Sequence, residues 1–477
     1  MSNSDRPIVG RRTVLGGAAV VLGAGLAGTE AARAAAAPPR SGAPASRPID
    51  PGAVHAVARR LDRDLVELRR DLHRHPETAG QERRTAAVVA RRLRAAGLRV
   101  RTGVGGHGVV ALLTGARPGR TIGYRADMDA VPPGDQFGGG TRPAHLCGHD
   151  VHTAVGVGVA EVLALLRDRL TGSVLFVFQP AEESLAGAAA MLADDVFGQV
   201  RPAEMHALHC GPFPVGQFLV TPGSGLPGQD RGVVTLTGPD APARAQRLAA
   251  AINAIGTVSP PASPADLERL VADLQTPDGP LTEFVFMGAQ PPAPDGPAEV
   301  RISYRCWPEQ RYTEIREEIR RLANSFGGAS VSFLAEPFPA LLCPEPEGLA
   351  LQRYLRQSLG AARVGRLHAP VPFNGEDFAL FLDRLPGTYT FLGVRAPGAG
   401  IETSAPHFGT FDPDERAIGY GVRAMAGWLA RRTCGGRMAG PARAGQHVDH
   451  RIGSYSPCDR QHSRTDVSRT TLRPVGY

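Results

Sequence analysis

Four short apolar runs, each followed by side chains able to hold a metal ion, constrain this chain more than any other feature. Residues 121–125 (TIGYR), 173–178 (SVLFVF), 203–208 (AEMHAL) and 388–394 (TYTFLGV) have strand length and carry apolar or β-favouring side chains. Between the first two runs, Val155, Val159, Val162, Leu165 and Leu166 keep a period near 3.6, which predicts a crossover helix over 152–170. Parallel strands joined by right-handed crossovers present their C-terminal ends on one edge, where open α/β sheets bind ligands. Asp127, Glu182, Glu183, His209 and His407 all follow such runs, so topology alone predicts that they converge.

The densest chemistry lies in Cys147-Gly-His-Asp-Val-His152. A thiol and an imidazole two residues apart can face one ion, and the glycine between them lets the backbone approach closely. An isolated pair of this kind is more often a packed thiol beside a hydrogen-bonded ring. Glu182-Glu183, His209 and His407 shift the reading toward metal chemistry.

The motifs stand in an order that resembles the dinuclear-metal amidohydrolases, a family that includes hippurate hydrolase, hydrolases of indoleacetyl-amino-acid conjugates, aminoacylases and carboxypeptidase G-like enzymes. They are Asp71-Leu-His-Arg-His-Pro-Glu77, Arg125-Ala-Asp-Met-Asp-Ala-Val-Pro132, His145-Leu-Cys-Gly-His-Asp-Val-His-Thr153, Phe178-Gln-Pro-Ala-Glu-Glu183, Leu208-His209, Gly375-Glu-Asp-Phe378, and His407 ahead of Glu415. The resemblance spans residues 51–432. It implies an α/β fold with a mixed, largely parallel sheet flanked by helices, interrupted by a smaller α+β lid. It also implies Cys147, His149, Glu183, His209 and His407 as ligands of two divalent ions, zinc or manganese. Glu182 becomes the general base, because a carboxylate bound to metal has given up its lone pairs and a second must take the proton from the attacking, metal-bound hydroxide or water. Asp127 is expected to hold a ligand histidine in its tautomer. Two dications against a thiolate, one carboxylate and a hydroxide leave a net positive pocket, suited to substrates carrying a carboxylate.

The lid departs from the family. Within 221–336, strands are expected over 232–237 and 299–304, and helices over 241–255, after Ser263-Pro264, and over 308–326. The family's lid histidine, which reaches a neighbouring subunit's site, is replaced here by Gly238-Pro-Asp-Ala-Pro242, and no histidine occurs between His209 and His368. Gln290-Pro-Pro-Ala-Pro-Asp295 occupies the place of the lid asparagine. Arg305 does match the family's lid arginine, as a clamp for the substrate carboxylate or as a solvated strand-end charge. A homodimer is left open.

The formal charge of +7 divides into +3 over residues 1–40 and +4 over 433–477, so the body sums to zero and demands no nucleic-acid face. Arg11-Arg12 before the apolar run 14–27, with Ala32-Arg-Ala34 beyond it, resembles a twin-arginine export signal, which implies the export machinery as a partner and a secreted or extracytoplasmic location. The expected organisation is a signal over 1–36, a linker over 37–50, a catalytic domain over 51–220 and 337–432, the lid over 221–336, and a disordered tail over 433–477. Cys210, Cys306 and Cys343 read as packed thiols, while Cys434 and Cys458 lie in the tail. The function implied is release of an amino acid from an N-acyl amino acid or small peptide-like conjugate. The alternative is a non-catalytic binding protein that kept the metal pocket, against which the intact Glu182 argues.

Overall fold

Asp50 opens the first helix, α1 (Pro51–His73): its carboxylate accepts from the Ala53 amide at 3.0 Å, and Pro51 occupies a first-turn position that needs no donor. The computed structural model describes residues 49–435 except 199, 294 and 295. The expected signal, the linker up to residue 48, the tail from 436 and Cys458 lie outside the described residues. Thr433, the expected start of the tail, is the last residue of the final helix and is buried.

After α1 come α2 (Arg83–Ala95), the strands β1 (Arg99–Val104), β2 (Gly108–Thr114) and β3 (Arg117–Asp127), and helix α3 (His149–Leu165). The chain continues through β4 (Thr171–Gln179), α4 (Gly187–Ala193), β5 (Met205–Pro214) and β6 (Phe218–Val220). The segment that follows contains β7 (Gly225–Leu226), β8 (Asp230–Leu236), α5 (Ala241–Asn253), α6 (Pro264–Gln275), β9 (Phe284–Gln290), β10 (Glu299–Trp307), α7 (Tyr312–Ser325) and β11 (Ala329–Phe333). The return runs through β12 (Leu341–Leu342), α8 (Glu345–Leu359), β13 (Val364–Arg366), α9 (Ala379–Leu382), β14 (Gly387–Arg395) and α10 (Arg416–Thr433).

Eight strands form one mixed sheet in the order β1-β2-β4-β3-β5-β14-β6-β13. Its centre, β4-β3-β5-β14, is parallel, and these strands read as near-continuous apolar runs because helices cover both faces. Antiparallel pairs flank that centre at β1-β2, β2-β4 and β14-β6. A second sheet, β11-β8-β10-β9, is antiparallel and packs its own apolar face against α5 and α7 through residues such as Val234, Leu248, Val300 and Ile319. Short β7-β12 pairing joins the two chain crossings between these parts. Among the described residues no helix is long and apolar enough to cross a membrane.

Two expectations need correction. Helix α3 begins at His149, not at 152, because Gly148 adopts φ +84° and its carbonyl accepts from the amides of both Val151 and His152. His209 lies inside β5 rather than beyond its end, since pairing with β14 continues past Leu208 through His209↔Phe391 and Cys210↔Leu392. Helix α6 also behaves differently from its neighbours in sequence. Its Leu267, Val271 and Leu274 join the core that contains Phe213, Phe381 and Tyr389 of the main body.

Helix α3 is buried along nearly its whole length, between the sheet and the pair α1 and α10. Gly156 and Gly158 make this possible. A Cβ at Gly158 would come within 2.6 Å of both Leu65 Cδ1 and Val422 Cγ2. Gly158→Val is therefore expected to force α1 and α10 apart and lower stability by about 1–3 kcal/mol, measured by chemical denaturation against the parent chain.

Candidate metal centre and active site

The first turn of α3, the end of β3, the loop after β4, the middle of β5 and the loop after β14 meet at one edge of the sheet. Each supplies a polar side chain that would be costly to bury alone. Donor atoms of Cys147, Glu183 and His407 lie within 4.8 Å of one another, as do those of His149, Glu182 and Glu183. Glu183 belongs to both groups: Oε1 faces His149 Nε2 at 3.6 Å, and Oε2 faces His407 Nε2 at 3.4 Å. Cys147 Sγ lies 3.4 Å from His209 Nε2.

Hydrogen bonds on the far side of each ring aim these nitrogens. His209 Nδ1 donates to the Cys210 carbonyl at 2.7 Å, and His407 Nδ1 donates to the Asp135 carbonyl at 3.0 Å. Both rings thus present Nε2 to the cluster. His407 itself sits at φ +68°, a left-handed backbone held by its amide bond to the Leu146 carbonyl and by the Phe137 amide on its own carbonyl. His152 has no such open nitrogen. Nδ1 donates to Asp127 Oδ1 at 2.6 Å, and Nε2 accepts the Cys210 amide at 2.8 Å. Asp127 therefore fixes the tautomer of His152 and, contrary to expectation, not that of a ligand histidine, because its Oδ2 stands 3.7 Å from His149 Nε2, beyond hydrogen-bond range.

Electrostatics separate the histidines by role. Burial pushes His407 down to about 4 and His209 well below the ordinary imidazole range, so both stay neutral and able to coordinate. Burial opposes charge on His149 too, but Asp127, Asp129 and Glu183 overrule it and raise the ring to about 10. Burial, followed by Asp129, Asp127 and Asp135 against the pull of His149, lifts Glu183 to about 8. With no cation beside them, the buried carboxylates of this edge hold protons more tightly than usual, because they outnumber the nearby positive groups. His149 Nε2 and Glu183 Oε1 are buried with no hydrogen-bond partner among the described residues. A soft thiol, neutral imidazoles and a carboxylate with open lone pairs form a donor set that fits divalent transition ions.

Several residues at the site carry roles that the sequence reading left unassigned, although every one lay within a quoted motif. Asp129 accepts from the amides of Glu182 and Glu183 at 3.1 and 3.0 Å and faces His149 Nδ1 at 3.4 Å, so it positions the adjacent glutamates and the helix-borne histidine together. Below them, the fully buried Arg125 donates to Asp127 Oδ2 at 2.6 Å, to Gln179 Oε1 at 3.0 Å and to Glu376 at 2.8 and 3.2 Å. Asp377 completes this layer, accepting from Gln179 at 2.6 Å and from the Ala188 amide at 2.8 Å. Burial raises Glu182 well above the usual carboxylate range, reinforced by the charges of Glu376, Glu183 and Asp377.

Arg305 reaches the same place from β10. It is 8% exposed, which removes the solvated strand-end reading, and a Cβ on Gly375 would lie 2.6 Å from its Nη1. Cys147, Glu182, Glu183, His209, His407 and Arg305 line one cavity of about 210 Å³. A larger cleft of about 770 Å³ among α1, α8 and α10 contains none of them.

Residues 123–431 match the model of peptidase family M20/M25/M40. The chain is 30% identical to N-acetyldiaminopimelate deacetylase of Enterococcus faecalis, over 77% of this chain and 97% of that protein. It is 31% identical to N-acetylcysteine deacetylase of Bacillus subtilis, over 74% and 93%. Among solved structures, a dinuclear metal binding peptidase from the M20 family of Bacillus subtilis superposes with a TM-score of 0.59 at 26% identity, covering 79% of this chain and 99% of that one.

The buried layer around Arg125 yields a stability prediction. Arg125→Gln leaves Asp127, Glu376 and Asp377 without their shared cation, and it is expected to cost about 3–5 kcal/mol, measured by urea unfolding.

Proposed function

The chain belongs to peptidase family M20/M25/M40 and is a metal-dependent amidohydrolase; from that premise we propose that it releases an amino acid from an N-acyl amino acid or a small peptide-like conjugate. One observation carries this reading: Cys147, Glu183, His209 and His407 line the cavity that also holds Glu182, and His149 Nε2 stands 3.7 Å from Glu182 and 3.6 Å from Glu183 behind it. Cys147, His149, Glu183, His209 and His407 would hold two divalent ions, zinc or manganese, and Glu183 offers an oxygen to each of two donor groups. Such ions polarise an amide carbonyl and lower the pKa of water toward about 7.

The protein's own groups do the rest. Glu182, beside the ligands and not needed as one, takes the proton of the attacking water and passes it to the departing amine. Burial and the neighbouring carboxylates raise its proton affinity, and divalent ions bound beside it would draw that affinity back down, so that it could accept a proton and then deliver it. Asp129 holds the Glu182-Glu183 backbone by two hydrogen bonds, so base and ligand keep their spacing. Asp127 and His152 lock the Cys210 amide and thereby the segment carrying His209. Arg305, buried at the cavity wall, is placed to pair with a substrate carboxylate. Burial and the charges of Glu183, Glu182 and Asp127 keep the Cys147 thiol protonated until a cation binds beside it. Arg11-Arg12 and the apolar run after it support export of the folded enzyme through a twin-arginine route.

Two variants test the division of roles. Glu182→Gln is expected to keep metal content at the parent level, by elemental mass spectrometry, and to lose turnover on N-acyl amino acids by roughly 100-fold or more. Equal turnover would remove Glu182 from the mechanism. Cys147→Ser is expected to lower metal content together with activity while circular dichroism stays native, because a neutral hydroxyl replaces a thiolate ligand. Full metal content in the parent chain with no hydrolysis across a broad amide panel would favour a binding protein.

A further inference from the structure

Helix α6 is encoded between α5 and β9, but its apolar side chains join the core of the main body and not the core that α5 and α7 share with the second sheet. Leu267, Leu270, Val271 and Leu274 follow the i, i+3, i+4, i+7 spacing that places them on one stripe. Three of these side chains are buried in the core of the main body. The helix is fixed there at several points: Ser263 caps its start by accepting from the Asp266 amide at 3.2 Å, Arg395 at the end of β14 donates to Glu268 at 2.5 Å, and the His368 amide donates to the Leu274 carbonyl at 2.8 Å.

The same four side chains line the cavity that holds Glu182, His209 and His407, where Val371 and Phe373 also contribute. A wall of this kind offers no hydrogen bond, and its contact with water is unfavourable. An acetyl group, with a single methyl, would leave most of this wall in water, whereas a longer apolar acyl chain would cover more of it.

We infer that α6 is a built-in specificity wall that selects substrates whose acyl group is apolar and substantially longer than acetyl. The inference rests on the amide-hydrolase reading above. It departs from the two deacetylases to which the chain is similar, whose names specify acetyl groups. Because α6 is joined to the body within one chain, this selection needs no second subunit.

The test uses the full metal-loaded chain and one amino acid carrying acetyl, butanoyl, hexanoyl or benzoyl groups. kcat/KM is expected to rise about fourfold per added methylene up to hexanoyl, with benzoyl close to hexanoyl. Leu270→Trp, which fills the cavity from a half-buried position, should reduce the hexanoyl-to-acetyl ratio of kcat/KM at least about tenfold, and Leu270→Ala should reduce it about threefold. Melting temperatures identify a misfolded variant, in which case the parent series and the alanine variant decide. A parent series that is flat or falls from acetyl to hexanoyl overturns the role of α6 and leaves the hydrolase reading standing. Failure to hydrolyse any member of the series defeats both.

Discussion

The arrangement at the sheet edge depends on one buried cation. Arg125 projects from β3 and spreads its guanidinium over Asp127 on its own strand, Gln179 at the end of β4, and Glu376 on a loop 251 residues farther along. Desolvating a guanidinium costs several kcal/mol, and only a dense set of charged partners offsets that. The planar fork is what allows the sharing, because its five donors cover the four bonds to these partners, one more than the three donors of an ammonium could make. Each contact then propagates outward. Asp127 fixes His152, which accepts the Cys210 amide beside His209; Gln179 and Asp377 anchor the backbone on either side of Glu182 and Glu183.

Around this layer the backbone takes conformations that ordinary residues avoid. Ala181, Leu185 and His407 all have positive φ, near 54°, 53° and 68°. Two of them bracket the paired glutamates, and the third is His407, whose ring faces Glu183 at the cavity. Such strain persists only where surrounding contacts over-determine it, and here those contacts are the amide bonds that Asp129, Leu146 and Phe137 make to the same loops. Gly148 plays the opposite part. A side chain there would lie 2.7 Å from Cys210 Sγ, so its absence lets the start of α3 rest on β5 and brings His149 close to His209.

Much of this was legible in the chain. The central strands carry long apolar runs because both faces are covered, and such runs stand out. The hairpin of β1 and β2 did not, since Arg99–Val104 is a mostly exposed edge strand with arginine at alternate positions and little apolar signal. The residues that converge on the cavity were readable because strand ends gather at one edge. Arg125, Asp129, Glu376 and Asp377 sat inside recognisable motifs without an assigned task, because a charge partner 251 residues away leaves no local periodicity. The placement of α6 was equally hidden. Its amphipathic stripe shows that it packs, but not against which of two cores, and that choice is settled by tertiary contacts alone.

The position of His407 has a consequence for biogenesis. Four of the five proposed metal ligands come from the first half of the chain, while the fifth follows β14, and α10 beyond it lies against α1, with Arg423 paired to Asp62 at 2.6 Å and Arg70 to Glu415 at 2.6 Å. A nascent polypeptide emerging from the ribosome could shape β3, α3, β4 and β5 and still hold only a partial, open chelate. Tight capture of metal must then await the last strand and helix. With that ligand set, a truncated or stalled product would bind metal weakly, and only a finished body would retain it.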